Sequence, residues 1–354
     1  ATPGSWGGIF LGPTSNGSID HAILRFGGGS TPIEGDSNEF NVIEVYQAAF
    51  RLTNSRLEFN ASGAGPDGLD ASRNGRGANS AATVFVRGAQ PTIAGNLFRN
   101  NSSTGSYVIS IDVNSLNSFE LPDAGRSTGL IERFSQYDDN LGALIRNNQM
   151  QNNGINGMEV RGGTLETQVV WDDTDIVHVL RDEIYDPNLQ TYGGIRLQSS
   201  KTASLVVKLQ GPTAGFTAGG TPLEIDDRIG GTVQIVGTPG FPVVLTSLYD
   251  DSVGAGCDLN GFPVVDTNND GIDLHNNSNP TVLTPDGLDD VTGAAFTGTY
   301  AGPGDWRSVK LTQFSNDRNV RIVNESEAAL TAGQDTNGNP LAAELLGTLA
   351  PNDK

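Results

Sequence analysis

The segment DTNNDGIDLHNN at residues 266–277 combines carboxylate and amide side chains at the spacing of a calcium-binding loop. In EF-hand loops, oxygen ligands at positions 1, 3, 5 and 7 surround the ion, and a glycine at position 6 makes the sharp turn. Gly271 occupies that sixth position. The candidate Ca²⁺ ligands are Asp266, Asn268, Asp270, the backbone carbonyl of Ile272 and, one residue beyond it, Asp273.

The segment departs from the EF-hand pattern at position 12, where Asn277 stands in place of the glutamate that binds Ca²⁺ through both oxygens. The flanking sequences contain no amphipathic helix. The pattern therefore predicts a loop that Ca²⁺ holds together, and not a calcium sensor. The alternative is an Asx-rich surface turn that binds no ion.

The whole chain is strongly acidic, with 41 Asp and Glu against 21 Lys and Arg and a formal net charge of −20. Such a surface repels nucleic acid and anionic membranes and attracts divalent cations. Residues 249–305 contain few apolar runs, and we interpret them as a long acidic insertion. Its further carboxylates are Asp250, Asp251, Asp258, Asp286, Asp289 and Asp290.

No motif assigns a catalytic residue, because the G-x-S-x-G, P-loop and H-E-x-x-H patterns do not occur. A lyase acting on uronic acid polymers needs a basic side chain near a cation or an arginine, and a glycoside hydrolase needs two facing carboxylates. His21 fits a turn, His178 a structural strand position and His275 a solvent-facing position. The clustered carboxylates are too many to select a pair: Asp138, Asp139, Asp172, Asp173, Asp175, Asp182, Glu183, Glu224, Asp226 and Asp227.

Four segments align without gaps and indicate repeated structural units: IDHAILRFG, LTNSRLEFN, IAGNLFRNN and IRNNQMQNN, which begin at Ile19, Leu52, Ile93 and Ile145. Their first and sixth columns are apolar, and their third and last columns are rich in Asn and Gly. Like residues lie over like when parallel strands stack at ~4.8 Å, and stacked Asn side chains can bond to one another. We therefore predict stacked strands with an apolar interior and asparagines at the corners; ordinary hairpins in a sandwich are the alternative.

The N-terminal half, with GSIDHAILRFGGG, FRLTNSRLEFN and PTIAGNLFRNN, resembles the right-handed parallel β-helix repeats of large secreted bacterial proteins. The resemblance covers roughly residues 4–325. The tail AAELLGTLAPNDK resembles the start of a bacterial pre-peptidase C-terminal type domain. The expected organisation is an all-β, right-handed parallel β-helix over residues 1–325, with the acidic insertion 249–305 within it, followed by a linker or the start of another module over 326–354.

The resemblance implies an extracellular or cell-surface location, and the expected function is structural, in adhesion, envelope architecture or filament assembly. Such a protein would associate with itself or with other surface proteins. Two alternatives stay open: a calcium-dependent polysaccharide lyase or hydrolase, and a non-catalytic glycan-binding module. The aromatic content of 7% disfavours a sugar-stacking platform. Cys257 is the only cysteine, so no intramolecular disulfide can form.

Overall fold

The computed structural model describes residues 1–33, 37–63, 69–70, 78–101, 105–117, 142–187, 194–220, 230–270, 301–312 and 315. This part of the chain is all-β, apart from one 3₁₀ turn at Val113–Ser115. It contains no helix with the length and hydropathy needed to cross a bilayer. The proposed C-terminal unit, residues 326–354, lies outside the described residues.

Twenty-seven short strands make up the described structure. In the first half they are β1 Ile9–Leu11, β2 Asn16–Asp20, β3 Ile23–Arg25, β4 Ser30–Ile33, β5 Ser37–Glu39, β6 Ile43–Tyr46, β7 Ala49–Thr53, β8 Arg56–Glu58, β9 Leu69–Asp70, β10 Asn79–Ser80, β11 Ala82–Arg87, β12 Thr92–Ala94, β13 Leu97–Arg99, β14 Tyr107–Asp112, β15 Leu144–Arg146 and β16 Gln149–Gln151. In the second half they are β17 Ile155–Arg161, β18 Gly163–Thr164, β19 Gln168–Trp171, β20 His178–Leu180, β21 Glu183–Asp186, β22 Gly194–Gln198, β23 Leu205–Leu209, β24 Gly211–Ala218, β25 Val233–Val236, β26 Val243–Ser247 and β27 Trp306–Leu311.

These strands form five parallel sheets that the chain visits in rotation. Sheet 1 has the order β1-β6-β11-β14-β17-β20-β23-β26, sheet 2 the order β2-β7-β12-β15, and sheet 3 the order β3-β8-β13-β16. From β17 onward the chain passes from sheet 1 into sheet 4, β18-β21-β24-β27, and then into sheet 5, β19-β22-β25. The antiparallel pairs β4–β5 and β9–β10 are local hairpins on the connections between visits.

The strand register confirms the columns read from the repeated segments. In sheet 2, Ile19 pairs with Leu52, Leu52 with Ile93, and Ile93 with Ile145. In sheet 3 the sixth column pairs in the same way, through Leu24, Leu57, Phe98 and Met150. Most of these side chains are fully buried in one continuous apolar core that extends to Phe216 and Val233 in the second half of the chain.

Two further columns form the bends between the strands, and each bend contains a residue with left-handed backbone. The third column has left-handed backbone, with φ of 52° at His21, 49° at Asn54, 68° at Gly95 and 54° at Asn147. Asn and Gly tolerate this conformation better than other residues, which explains their frequency there. The second bend also has left-handed backbone, but at the residue before the predicted asparagine column: Phe26, Phe59, Asn100 and Asn152.

The asparagines of the last column hydrogen-bond from one repeat to the next. The Asn60 side-chain amide donates to Asn101 Oδ1 at 3.0 Å, and the Asn101 amide donates to Asn153 Oδ1 at 2.9 Å. Each amide also donates to a buried backbone carbonyl, as Asn101 does to Leu57 O at 3.0 Å. A second ladder follows the fourth column, where the Asn96 amide donates to Asn148 Oδ1 at 3.0 Å. Buried backbone groups at the bends, which have no strand partner, are satisfied in this way.

Residues 248–270 lie over the outer face of sheet 1 at its C-terminal end. Leu248 and Ala255 pack with outward-facing Val179 and Val206 in a second apolar cluster. Between β26 and β27 the described residues contain only isolated bridges, such as the one that joins Cys257 to Gln149. Residues 249–270 of the proposed acidic insertion are therefore packed against sheet 1.

The asparagine ladder predicts a large difference between two neighbouring substitutions. Asn101→Ala should lower the free energy of unfolding by about 2 kcal/mol or more, because it leaves the Asn60 N–H and the Leu57 carbonyl buried without partners. Asn100→Gly should change it by less than about 0.5 kcal/mol, because φ is 57° at this position and glycine adopts it without strain. Urea denaturation measures both values, and equal stability of the two variants would contradict the role of the ladder.

Candidate functional site

An open groove of about 540 Å³ lies on the outer face of sheet 1, across strands β10, β11, β14 and β17. Its floor includes Phe85 and Glu159, which flank the buried Ser110 in one outward column of adjacent strands. Charged residues near the ends of these strands and of β20 form its sides. They are Arg87, Asp112, Arg161, Arg181 and Asp182.

Arg161 is the most constrained cation of the groove. Its guanidinium lies 4.1 Å from the centroid of the Phe85 ring. It donates to Ser110 Oγ at 2.7 Å and to the Val86 carbonyl at 2.5 Å, and it lies 3.7 Å from Asp112 Oδ1. Burial lowers the pKa of Arg161, while the charges of Asp112 and Glu159 act in the opposite direction. A guanidinium held on so many sides presents a fixed positive charge in the groove.

Glu159 accepts two hydroxyl hydrogen bonds on one carboxylate oxygen. Ser110 Oγ lies 2.5 Å and Ser80 Oγ 2.9 Å from Glu159 Oε2, and the two hydroxyls lie 2.6 Å from each other. Ser80 belongs to the β9–β10 hairpin, so this cluster joins a connection to the sheet. The second oxygen, Oε1, makes none of these bonds.

Tyr107 places a buried hydroxyl at the wall of the groove. The residue is 3% exposed, and its hydroxyl has no hydrogen-bond partner among the described residues. Arg181 lies over the ring, with 5.4 Å between the guanidinium carbon and the ring centroid. Burial, with the charge of Glu159 adding to it, raises the pKa of the Tyr107 phenol, so the hydroxyl stays protonated and can donate to a ligand.

The groove was not predicted from the sequence, although Asp182 was among the candidate carboxylates. Arg87, Asp112 and Arg161 each end a strand of sheet 1, and Arg181 directly follows β20. Charged residues that recur at the ends of otherwise buried strands indicate a polar site along that edge of the sheet. The recurrence becomes visible only when the pairing of the strands in sheet 1 is known.

The predicted calcium ligands lie in part within the described chain. Asp270 N donates to Asp266 Oδ1 at 3.0 Å, and the Asn268 amide donates to Asp270 Oδ2 at 2.9 Å, so the three residues form one tight Asx turn. Ile272 and Asp273 lie outside the described residues, so their part of the calcium prediction stays a prediction. Within the described ranges no three His, Cys, Asp or Glu side chains converge as a metal site would require.

A buried lysine lies beside this turn. Lys208 points outward from β23 under the 248–270 segment, and its side chain is fully buried. Its ammonium donates to the Val265 carbonyl at 2.9 Å and lies 3.9 Å from Asp251 Oδ1. Burial lowers the pKa of Lys208, while Asp251 and the neighbouring carboxylates, Asp250 foremost, oppose that shift. Burial raises the pKa of Asp251.

The other candidates from the sequence have structural positions where the structure describes them. His21 lies at a bend and bonds to Asp20, and burial lowers the pKa of His178, stacked on Trp171 in the core, to about 3. Asp173 Oδ1 accepts from Ile145 N at 2.8 Å and Asp175 Oδ2 from Asn147 N at 3.1 Å, so both carboxylates bond the edge of β15. The candidates outside the described residues are Asp138, Asp139, Glu224, Asp226, Asp227, His275, Asp286, Asp289 and Asp290.

No protein-family model, curated protein or solved structure matches this chain.

Replacing the buried ammonium tests its role in holding the 248–270 segment. Lys208→Met should lower the free energy of unfolding by about 3 kcal/mol, because it leaves a buried carboxylate and the Val265 carbonyl without the cation. The matched substitution Lys201→Met, at an exposed position, should leave stability unchanged within about 0.5 kcal/mol. Urea denaturation measures both; a Lys208→Met midpoint equal to that of the wild type would show that the ammonium does not hold the segment.

Proposed function

We propose that the chain is a right-handed parallel β-helix and serves as a rigid structural segment of a larger extracellular or surface protein. The observation that carries this proposal is the repeated passage of the chain through three sheets, first sheets 1, 2 and 3 and then sheets 1, 4 and 5, with each strand paired in parallel to the strand of the previous visit. Register shifts interrupt this pairing at Tyr107–Ile109 and at Gly211–Gly215. Each visit would be one coil of a solenoid. Each coil packs directly on the coil before it, so a protein can be lengthened coil by coil without flexible joints.

The asparagine ladders support the rigidity of such a segment. They add hydrogen bonds between successive repeats at the bends. Without them, only the strand hydrogen bonds would join one repeat to the next. In a larger surface protein, such a segment would hold flanking modules at a set distance, in adhesion, envelope architecture or filament assembly.

Calcium belongs to this proposal as a stabiliser of the acidic insertion. Asp266, Asn268 and Asp270 already share one turn, and Ile272 and Asp273 follow directly in the sequence. The ion would add its positive charge to that of Lys208 in a chain with a net charge of −20. Ca²⁺ prefers such oxygen ligands.

The rigid segment can be tested by a distance across the whole of sheet 1. Phe10 and Thr246 stand in one outward column on its two edge strands, seven strand spacings apart. Spin labels at Phe10→Cys and Thr246→Cys, in a Cys257→Ser background, should give a narrow distance distribution near 34 Å, from about 4.8 Å per spacing.

A broad distribution would contradict a rigid segment, and a much shorter mean distance would contradict the stacked coils. Thermal unfolding of the unlabelled protein before and after exhaustive chelation tests calcium separately. We expect a lower unfolding temperature after chelation and recovery when Ca²⁺ is added; an unchanged temperature would remove calcium from the proposal and leave the rigid segment standing.

The groove on sheet 1 supports a second candidate function, a lyase or hydrolase acting on an acidic polysaccharide. Its favouring observation is that Arg161, Arg181 and Glu159 line one groove together with Tyr107, over whose ring the Arg181 guanidinium lies. Arginine can neutralise a uronate carboxylate, and a neighbouring base can then remove the adjacent proton.

This candidate predicts an unsaturated product that absorbs in the ultraviolet when the protein is incubated with polygalacturonate or alginate. Tyr107→Phe and Arg181→Gln should abolish that absorbance, while Lys201→Gln should keep it. New reducing ends without ultraviolet absorbance would indicate a hydrolase. If neither product forms with any polymer tested, the groove has no such activity.

A further inference from the structure

Three arginines surround one buried glutamate on the outer face of sheet 3. Glu58 is fully buried and accepts from Arg25 Nε at 2.8 Å, from Arg56 Nη2 at 2.6 Å and from Arg99 Nη2 at 2.8 Å. Arg25, Glu58 and Arg99 are direct neighbours on β3, β8 and β13, and Arg56 is two residues from Glu58 on β8. The stacking of the strands therefore sets the spacing of the three guanidinium groups.

This cluster carries a surplus of positive charge on an otherwise acidic protein. Burial alone would raise the pKa of Glu58, but hydrogen bonds from Arg56 and Arg25 and the charge of Arg99 hold it below its usual value. The carboxylate stays ionised and fixes the arginines. The outward positions of β3, β8, β13 and β16 hold three guanidinium groups and one carboxylate. The chain as a whole has a charge of −20.

The arginines keep donors for a further partner. The side chains of Arg25 and Arg56 are 41% and 43% exposed. Each directs Nε and Nη2 to Glu58, which leaves Nη1 outside that pair of bonds. A guanidinium with one edge on a fixed carboxylate can use its remaining N–H groups for a second anion.

Two phenylalanines stand at the bend beside the arginines in a conformation that costs energy. Phe26 has φ of 62° and Phe59 of 57°, where the next two repeats have Asn100 and Asn152. Left-handed backbone is strained at a bulky residue, and such strain points to a role that offsets it. The rings stack on each other at 6.1 Å with 25° between their planes, and Phe59 is 36% exposed.

We propose that this arginine–phenylalanine patch, formed by Arg25, Phe26, Arg56, Phe59 and Arg99, binds acidic polysaccharide. The guanidinium groups would pair with the carboxylate or sulfate groups of the sugar, and the exposed Phe59 ring, continued by Phe26 in the preceding repeat, would face the apolar side of a sugar ring. Arginine recognises both kinds of anion by paired N–H groups. The site is separate from the groove, because it lies on sheet 3 and not on sheet 1.

Charge distinguishes this partner from other polyanions. Attraction to the patch is screened beyond about 8–10 Å at physiological salt, so it reaches only a few sugar units. Duplex DNA carries one charge per ≈ 1.7 Å of axis and would extend over the acidic remainder of the surface, which repels it. A chain with one charge per sugar ring meets less of that repulsion.

Binding is measured by calorimetry with polygalacturonate, dextran sulfate, neutral dextran and duplex DNA. The wild type should bind polygalacturonate or dextran sulfate, with an affinity that falls as salt rises, and should not bind neutral dextran. Binding of polygalacturonate but not dextran sulfate identifies the anion as carboxylate, the reverse result identifies it as sulfate, and binding of both shows that the patch accepts either. Failure to bind either of them, or tighter binding to DNA, overturns the proposal.

Variants then locate the site without endangering the fold. Phe26→Asn with Phe59→Asn introduces the residue found in the next repeats, so the unfolding temperature should stay the same or rise, while affinity should fall roughly fivefold or more. Arg56→Gln should weaken binding by a similar factor, and Lys201→Gln, an exposed charge elsewhere, should not. Wild-type affinity in both patch variants overturns the proposal, as does a loss confined to Arg181→Gln, which would assign the binding to the groove.

Discussion

In-register stacking of parallel strands is the constraint on which the rest of this structure depends. Once Ile19, Leu52, Ile93 and Ile145 lie over one another, each bend must also lie over the bend before it. The backbone groups at those bends have no strand partner, and a buried orphan N–H or carbonyl is costly. The asparagine ladders meet that need, because the oxygen of the Asn101 amide accepts from the previous repeat, while its nitrogen donates both to the next repeat and back to the previous one.

The same stacking places surface chemistry at regular intervals. Residues far apart in the chain, such as Ser80 and Glu159, become neighbours when their strands or hairpins lie side by side. Charges that alternate along a column, as in Arg25, Glu58 and Arg99, satisfy one another at the distance between strands. A stacked fold can therefore carry separate surfaces on separate sheets, and the groove on sheet 1 and the patch on sheet 3 do not share residues.

The C-terminal end of sheet 1 shows what happens when a connection covers an outward face. Lys208 occupies a position that is outward on its strand, yet residues 248–270 bury it completely. A buried cation needs an opposite charge, and the acidic segment that covers it supplies Asp251. The acidic character of this segment thus has a structural use whether or not Ca²⁺ binds to the turn at Asp266.

Sequence alone determined the strand columns, the apolar interior and the asparagine bends, because each depends on a local pattern of residue types that recurs along the chain. Tertiary structure decided which outward residues meet, because connections of unequal length separate the strands and only their pairing brings Glu159 to Ser80 or Arg99 to Glu58. The low aromatic content of the whole chain likewise gave no sign of the Phe26–Phe59 pair. That pair exists because two bends of different repeats lie in contact, a relation that no single segment contains.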